Sequence, residues 1–359
     1  MKKILLILMI TLFIGCSKDD VLKETEVETQ IPEIEIQDPE VEPQTPEVES
    51  QIPTDVTQEI LNINEEEFRF TSKAKKNMPF PSYDFGAELY NGKIYAFLGT
   101  EDYYFYKNNS YGKVCVYDIE QDTWKTVNNI PQYQAHASST IIDDKIYLVG
   151  AYGFKKTIQV YNITKNVWEQ SLTLPIGSYW STVETINGKI YIFGGYAEGV
   201  NGLGIQFLST VQIYNPKTNQ WTYGTEMPEK IQTPNSLIYN NEVYVWDLNL
   251  MLKYNPVNES WTYVDKLQSY SKASQEGIVL NDYLLFISGQ NGHSFNDKAS
   301  KKIYLYNPKK NNYIESISSL TTGRHYNYNV FQYKNKIYIL GGREDQQWNA
   351  MDDVVEITF

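Results

Sequence analysis

Short apolar runs separated by turn residues recur along residues 68–359 of this chain. Each run clusters isoleucine, valine, leucine, tyrosine and phenylalanine over a few positions, and dipeptides such as Asn91-Gly92, Asp143-Asp144 and Asn281-Asp282 join neighbouring runs. Runs of this length and composition, bounded by such dipeptides, indicate short strands connected by tight hairpins. The pattern therefore predicts an all-β body.

The same hairpin returns six times. Its aligned isoleucine, valine or leucine stands at positions 94, 146, 190, 243, 284 and 337. A tyrosine strand and then an aromatic strand follow each of the first five copies; the tyrosines are Tyr117, Tyr161, Tyr214, Tyr254 and Tyr306, and the aromatic residues are Trp124, Trp168, Trp221, Trp261 and Tyr313. Each repeat thus predicts a four-stranded sheet. Such sheets have two faces to bury, so successive sheets are expected to pack radially into a propeller.

The two ends of the repeat region predict how the ring closes. The chain ends on a third strand at 353–357, with no aromatic strand after it. Residues 67–71 precede Met78-Pro79 in the same way that Trp221-Thr222 precedes Met227-Pro228. We therefore expect six blades, with the N-terminal strand completing the last one.

The order of these marks resembles the kelch repeat. Gly194-Gly195 and Gly341-Gly342 are diglycines, and a tyrosine and a tryptophan follow Gly194-Gly195. The resemblance covers about residues 68–359 and implies a six-bladed kelch-type β-propeller. It also implies that binding residues lie on the loops that lead into the first strand of each blade and on the loops after the glycines.

The charge of the chain is concentrated in one segment. The formal net charge is −13, and residues 17–67 contain 17 acidic residues against Lys18 and Lys23. The acids and bases of residues 68–359 balance. Nucleic-acid binding requires clustered lysine and arginine. A neutral body without a basic stripe therefore excludes nucleic acid from the expected partners.

The N-terminus predicts export and a lipid anchor. Lys2 and Lys3 precede an apolar run from Ile4 to Ile14, which is too short to span a bilayer but suits a signal peptide. The following Gly15-Cys16 resembles the lipobox of bacterial lipoproteins, although Phe13 stands where that family prefers leucine. The resemblance implies a signal peptide at 1–15 and lipidation of Cys16. The alternative is an ordinary signal peptide with an unrelated cysteine.

Residues 16–57 are predicted to be a disordered acidic stalk, ahead of the propeller at 58–359. Pro-Glu-(Ile/Val)-Glu recurs every seven residues, and regular proline with high charge prevents a packed core. Ser17-Lys18-Asp19-Asp20 resembles an export tag that places lipoproteins on the outer face of the outer membrane. We expect a lipid-anchored monomer in the outer membrane at the cell surface, with the periplasmic face as the alternative, and no other membrane contact.

The predicted loop face concentrates unusual residues. All three histidines, two of the three arginines and many aromatic rings fall there. Aromatic rings beside polar groups suit the faces of sugars and peptides. The candidate ligand-binding residues are Tyr83, His136, Tyr179, Trp180, Tyr270, His293, Arg324, His325, Tyr326 and Arg343. The alternative for Arg324 is a structural role, because kelch repeats often carry a structural arginine there. No spacing supports a three-histidine metal site, so neither a metal nor another cofactor is expected.

Three functions are compatible with these residues. The first is a non-catalytic module that binds a glycan or protein partner through its loop face. The second is a sugar mutarotase or epimerase, similar to the exported N-acetylneuraminate epimerase family, although no motif of that family can be matched residue by residue. Its cation would come from Arg324 or Arg343, and its proton transfer from Glu101, His325, Glu344 or Asp345. The third is a copper enzyme similar to galactose oxidase, which would need a cysteine-linked tyrosine; Cys115 instead suits a buried structural cysteine.

Overall fold

The computed structural model describes residues 63–100, 112–151, 156–198, 204–264, 272–293, 297–326, 328–343 and 350–359. The predicted signal peptide, lipidated Cys16 and acidic stalk lie outside these residues. Within the described ranges all regular secondary structure is β-strand. None of this part of the chain forms a helix long and apolar enough to cross a membrane.

The described strands form six antiparallel blade sheets and one two-stranded hairpin, which confirms the six-bladed β-propeller. The first strand in the chain is β1 (Thr71–Ala74), which belongs to the last blade. Blade 1 comprises β2 (Gly86–Tyr90), β3 (Lys93–Phe97), β4 (Val114–Asp118) and β5 (Thr123–Thr126). Blade 2 comprises β6 (Ser138–Ile142), β7 (Lys145–Val149), β8 (Thr157–Asn162) and an interrupted outer strand, β9 (Val167–Trp168) and β10 (Leu172–Thr173).

Blade 3 contains an additional hairpin between its second and third strands. It comprises β11 (Thr182–Ile186), β12 (Lys189–Phe193), the hairpin β13 (Tyr196–Glu198) and β14 (Ile205–Phe207), then β15 (Val211–Asn215) and β16 (Gln220–Tyr223). Blade 4 comprises β17 (Asn235–Tyr239), β18 (Glu242–Asp247), β19 (Leu250–Asn255) and β20 (Ser260–Tyr263). Blade 5 comprises β21 (Glu276–Leu280), β22 (Tyr283–Ile287), β23 (Ile303–Asn307) and β24 (Asn312–Glu315). Blade 6 comprises β25 (Asn329–Tyr333), β26 (Lys336–Leu340), β27 (Val354–Thr358) and β1.

The N-terminal strand closes the last blade, as expected. Strand β1 pairs antiparallel with β27, with Thr71 opposite Thr358. The closing strand begins where the predicted segment 67–71 ends. The cause is the burial of Phe68 and Phe70, which insert into the core between blades 5 and 6. The Phe70 amide donates to the Ser318 hydroxyl (3.1 Å).

The repeating tyrosines and tryptophans pack within the blades. Tyr117 is fully buried, and its ring centroid lies 4.9 Å from that of Trp124 in a stacked arrangement. Its hydroxyl donates to Asp122 in the turn between the two strands (2.6 Å). In blade 3 Tyr214 pairs with Trp221 at 5.0 Å with the rings tilted, and its hydroxyl donates to Asn219 in the turn (2.9 Å). One aromatic pair and one hydrogen bond thus fix the outer hairpin of these blades.

The first strand of every blade faces a central channel. These inner strands are β2, β6, β11, β17, β21 and β25; each contacts the next, and β25 contacts β2 to complete the ring. The blades approach closely: a Cβ added to Gly277 on β21 would lie 2.5 Å from Cη2 of Trp246 in blade 4. The inner strands are therefore packed closely around the channel.

Candidate functional site

Hydroxyl and amide side chains connect neighbouring blades along the channel wall. Thr140 and Thr185 join blades 2 and 3 through their hydroxyls (2.8 Å), and Thr182 joins Ser236 of blade 4 (2.5 Å). Asn329 of blade 6 donates to the carbonyl of Phe85 beside blade 1 (3.0 Å). The inner strands thus expose polar groups to the channel, whereas apolar side chains fill the spaces between blades.

Three glutamates project from the inner strands of alternate blades. Glu88 lies on β2, Glu184 on β11 and Glu276 on β21, and each side chain is only partly accessible. Removal from bulk water raises the pKa of Glu88 and of Glu276 to about 8, and that of Glu184 to about 7. Hydrogen bonds from Ser139 and Ser236 oppose the shifts of Glu88 and Glu184, and the neighbouring carboxylates reinforce those of Glu88 and Glu276.

A polar cavity of about 150 Å³ lies at the N-terminal ends of the inner strands. A cavity of this size holds several waters or a small organic molecule. Its polar lining includes Ser138, Ser139, Ser181, Thr182, Glu184, Asn235, Ser236, Glu276 and Asn329. Trp180, Phe85 and Tyr328 line it as well and supply its aromatic surface.

Residues with left-handed backbone geometry lead into the inner strands. The φ angles are 50° at Asp84, 57° at His136, 53° at Trp180, 52° at Ser274 and 58° at Tyr326. Their shared position before the inner strand indicates that the fold imposes this geometry. For a tryptophan or a tyrosine such a φ is strained, and strain of this kind is concentrated at functional sites.

Asp84 and His136 form a buried acid–base pair near the cavity. Nδ1 of His136 lies 2.6 Å from Oδ2 of Asp84, and the His136 amide also donates to the Asp84 carbonyl (3.1 Å). The His136 ring packs edge-on against Trp180 with centroids 4.7 Å apart. Trp180 therefore contacts both this pair and the cavity.

A cation and two phenols lie close to Asp84. The guanidinium of Arg343 is 5.2 Å from the ring centroid of Tyr326. The ring of Tyr83 packs against the same Tyr326 ring, with 6.4 Å between the centroids. Burial lowers the pKa of Arg343, while the nearby Asp84 and the two tyrosines oppose that change. His325 pairs by backbone with Arg343. Tyr83, His325, Tyr326 and Arg343, all predicted from the sequence, are thus grouped in and beside blades 6 and 1.

Arg324 is part of the internal structure of blade 6. Its side chain is buried, with Nη1 donating to Oδ1 of Asp353 (2.8 Å) and to the Gly341 carbonyl (2.5 Å), and Nη2 contacting Oδ2 of Asp353. These contacts favour the structural alternative given for Arg324 above.

The remaining predicted residues are dispersed. Tyr179 is buried and stacks on Tyr196 (5.2 Å) next to Trp180. His293 instead lies 3.4 Å from Asp247 at blades 4 and 5, where burial raises the pKa of Asp247 and the histidine opposes the rise. Tyr270 is outside the described residues, as are Glu101, Glu344 and Asp345. Among described residues the histidines join no cluster of three metal-ligating side chains.

Cys115 has the buried position expected from the sequence. It is fully buried on β4, its sulfur lies 3.7 Å from the Thr126 hydroxyl, and burial raises the pKa of its thiol. A buried, protonated thiol suits packing rather than metal chemistry.

The three channel glutamates were not among the candidate residues predicted from the sequence. The available signal was a single acidic residue inside an otherwise apolar or hydroxyl-bearing first strand, as in Gly86-Ala87-Glu88-Leu89-Tyr90. Acidic residues are uncommon on strands that are largely withdrawn from water, so this placement marks the three glutamates as candidate site residues.

Comparison with known proteins agrees with the architecture. A Kelch motif matches residues 181–228, which include the four strands of the blade 3 sheet. Fold and motif together define a six-bladed β-propeller of the kelch type. The solved structure of YjhT is similar, with a TM-score of 0.65 and 19% identity, covering 79% of this chain and 96% of that chain. At this identity the likeness shows the fold. A search of the curated proteins finds no match to the chain.

Proposed function

We propose that this protein is a sugar-binding propeller, carried on a lipid-anchored stalk, whose ligand occupies the loop-face end of the central channel. The observation that carries the proposal is the position of Trp180, whose ring lines a polar cavity beside Glu184 and Glu276. A sugar presents apolar C–H faces and many hydroxyls. An aromatic plane beside carboxyl, hydroxyl and amide groups complements both.

The backbone at Trp180 adds support. A bulky residue at a φ of 53° is strained, where asparagine or glycine would fit more easily. Contacts with His136, Tyr179 and Tyr196 hold the ring in place. A rigid, preorganised ring loses little entropy when a ligand stacks on it.

The test is a glycan array probed with the full-length chain, followed by titration of any sugar that binds. We expect binding to one glycan class and a loss of about tenfold or more in affinity for Trp180→Ala, which removes the stacking surface. Tyr223→Ala is the matched control, because Tyr223 is an exposed aromatic residue on the outer strand β16. Absence of binding to every glycan would overturn the proposal and direct the search to a protein partner.

A specific observation favours a second candidate, sugar mutarotation. The reaction removes the proton of the anomeric hydroxyl and protonates the ring oxygen as the C1–O5 bond breaks; the open chain then rotates and recloses. The pair of Asp84 and His136, 2.6 Å apart, is a suitable acid–base system next to Trp180. Anomer exchange measured by NMR on the bound sugar tests this candidate. His136→Gln and Asp84→Asn should abolish catalysed exchange while binding persists; exchange at the uncatalysed rate in the unmodified protein excludes the candidate.

The proposed anchor has an independent test. Gly15-Cys16 and the acidic tag that follows support lipidation and surface display. Cells fed a labelled fatty acid should label the wild-type chain and not Cys16→Ser. Protease added to intact cells should remove the propeller if it is displayed outside. Protection of a labelled chain would instead support the periplasmic face.

A further inference from the structure

The charge of the cavity wall is one-sided. Glu184 and Glu276 both line it, and no lysine or arginine is among the described residues that do so. Ser236 donates to Oε1 of Glu184 (2.7 Å), so that carboxyl has a hydroxyl partner but no cation. An acidic ligand placed here would meet carboxyl groups without a compensating positive charge.

Hydroxyl groups in the same wall suit a polar occupant. Ser138, Ser139 and Ser236 line the cavity with the two carboxyls, and each of these residues is partly accessible. Their hydroxyl oxygens can accept hydrogen bonds from the hydroxyls of a ligand in the cavity.

We propose that the cavity binds a sugar that carries an ammonium group, with Glu184 and Glu276 as its ionic partners and Ser138 and Ser139 as partners of its hydroxyls. This inference rests on the proposed sugar-binding function and names its ligand class. A site for acidic sugars would instead require a cation in the cavity wall.

The groups around the two carboxyls favour the same ligand. Asp84 adds negative charge from blade 1, and Glu88 on β2 adds a further carboxyl near Glu184. The Tyr328 hydroxyl accepts a hydrogen bond from the Glu276 amide (3.2 Å). Arg324 contacts Asp353, and Arg343 lies over Tyr326. Burial raises the pKa of Glu184 to about 7 and of Glu276 to about 8, and a bound ammonium would favour ionisation. Binding should therefore release protons and strengthen as the pH rises through this range.

The experiment compares three sugars that differ only at C6: 6-amino-6-deoxyglucose, glucose and glucuronate. Calorimetric titration of the full-length chain at pH 5.5 and pH 8.5 gives affinities, and paired buffers of different ionisation enthalpy give the protons released. An aliphatic amine keeps most of its charge at both pH values. We expect the amino sugar to bind about tenfold tighter than glucose at pH 8.5, with a smaller advantage at pH 5.5, and glucuronate to bind most weakly.

Variants assign the effect to the carboxyls. Glu184→Gln and Glu276→Gln should each reduce the advantage of the amino sugar and its pH dependence. Glu120→Gln, at an exposed position, should change neither. Ser236→Ala removes the hydrogen bonds of this hydroxyl to Glu184 and to Thr182 but keeps both carboxyls, so it provides a milder variant if a glutamine variant misfolds. Glucose or glucuronate binding as tightly as the amino sugar would overturn this inference and leave sugar binding intact. Binding of none of the three, with an empty glycan array, would overturn both.

Discussion

Two groups of buried charge in this propeller have opposite surroundings. Arg324 in blade 6 has an anionic partner in Asp353 and a carbonyl partner in Gly341. In the channel, the Glu184 carboxyl has the Ser236 hydroxyl as a described partner, and neither Glu184 nor Glu276 has a cationic side chain beside it in the described cavity wall. The charge of Arg324 is compensated within the fold, whereas the charge of the two carboxyls is removed only by protonation or compensated by a bound cation. The proposed binding site therefore rests on buried carboxyls whose charge the fold leaves uncompensated.

The largest expected effect comes from breaking the complete group. Arg324→Ala should destabilise the protein by about 3 kcal/mol, near the lower end for removal of one partner of a buried pair, because Asp353 keeps 34% of its side-chain surface exposed. Denaturant unfolding followed by tryptophan fluorescence measures the loss. Arg324→Lys should recover part of it. Ordinary surface substitutions change the free energy of unfolding by up to about 0.5 kcal/mol. A change no larger than this would contradict the structural role.

The channel glutamates should make the protein less stable as the pH rises. Their folded-state pKa values, about 7 to 8, exceed the ordinary value of 4.5, so the native state binds more protons than the unfolded state between these limits. We expect the melting temperature to fall by at least about 5 °C from pH 5 to pH 8.5, because the folded protein retains protons that the unfolded chain releases at lower pH. The triple change of Glu88, Glu184 and Glu276 to glutamine should flatten this dependence in thermal melts. An equal fall in the triple variant would show that other groups cause it.

Glu65 provides a comparison of opposite sign. Its carboxylate accepts hydrogen bonds from Lys310 (2.9 Å), Asn307 (2.6 Å) and Tyr283 (3.0 Å), and the lysine contact chiefly lowers its pKa to about 2. Its contribution should therefore be present above pH 4.5 and disappear as the pH falls towards 2. Glu65→Gln should lose about 1 kcal/mol at pH 7 and little at pH 2.5, by urea unfolding at both pH values. A loss that is independent of pH would contradict this assignment.

The smallest effect is expected for an exposed ion pair. Lys309 and Asp282 contact each other at 2.5 Å, but their side chains are 66% and 63% exposed. Water and salt screen such a pair. Lys309→Gln should leave the melting temperature unchanged within error at physiological salt. A measurable decrease would show that exposed pairs also contribute to holding blade 5 together.

Much of the fold could be predicted because its signals are local and repeated. The hairpin at Asn187-Gly188 and the tyrosine–tryptophan pair Tyr214 and Trp221 each report on a few neighbouring residues. Six copies of such signals determine the number of blades. The exact start of the closing strand at Thr71 escaped prediction, because burial of Phe68 and Phe70 depends on residues more than 200 positions later in the chain.

The candidate site was only partly predictable. The sequence placed Trp180, His136 and Arg343 on the loop face, but it could not show that Trp180 lines a cavity or that His136 contacts Asp84. The sequence left both a binding role and a structural role open for Arg324, and only the contact with Asp353, which directly precedes β27, gives it a structural environment.

The sequence by itself determined an all-β chain of six repeats, the closure of the last blade by the N-terminal strand and the loops that gather aromatic and basic residues. These properties follow from alternation, turn chemistry and repetition, which act over short distances along the chain. Only the tertiary structure brought Glu88, Glu184 and Glu276 from alternate blades to one channel. Their pKa values and the charge of the cavity depend on desolvation and on neighbours distant in sequence. Both the desolvation and these neighbours arise only when the ring of blades closes.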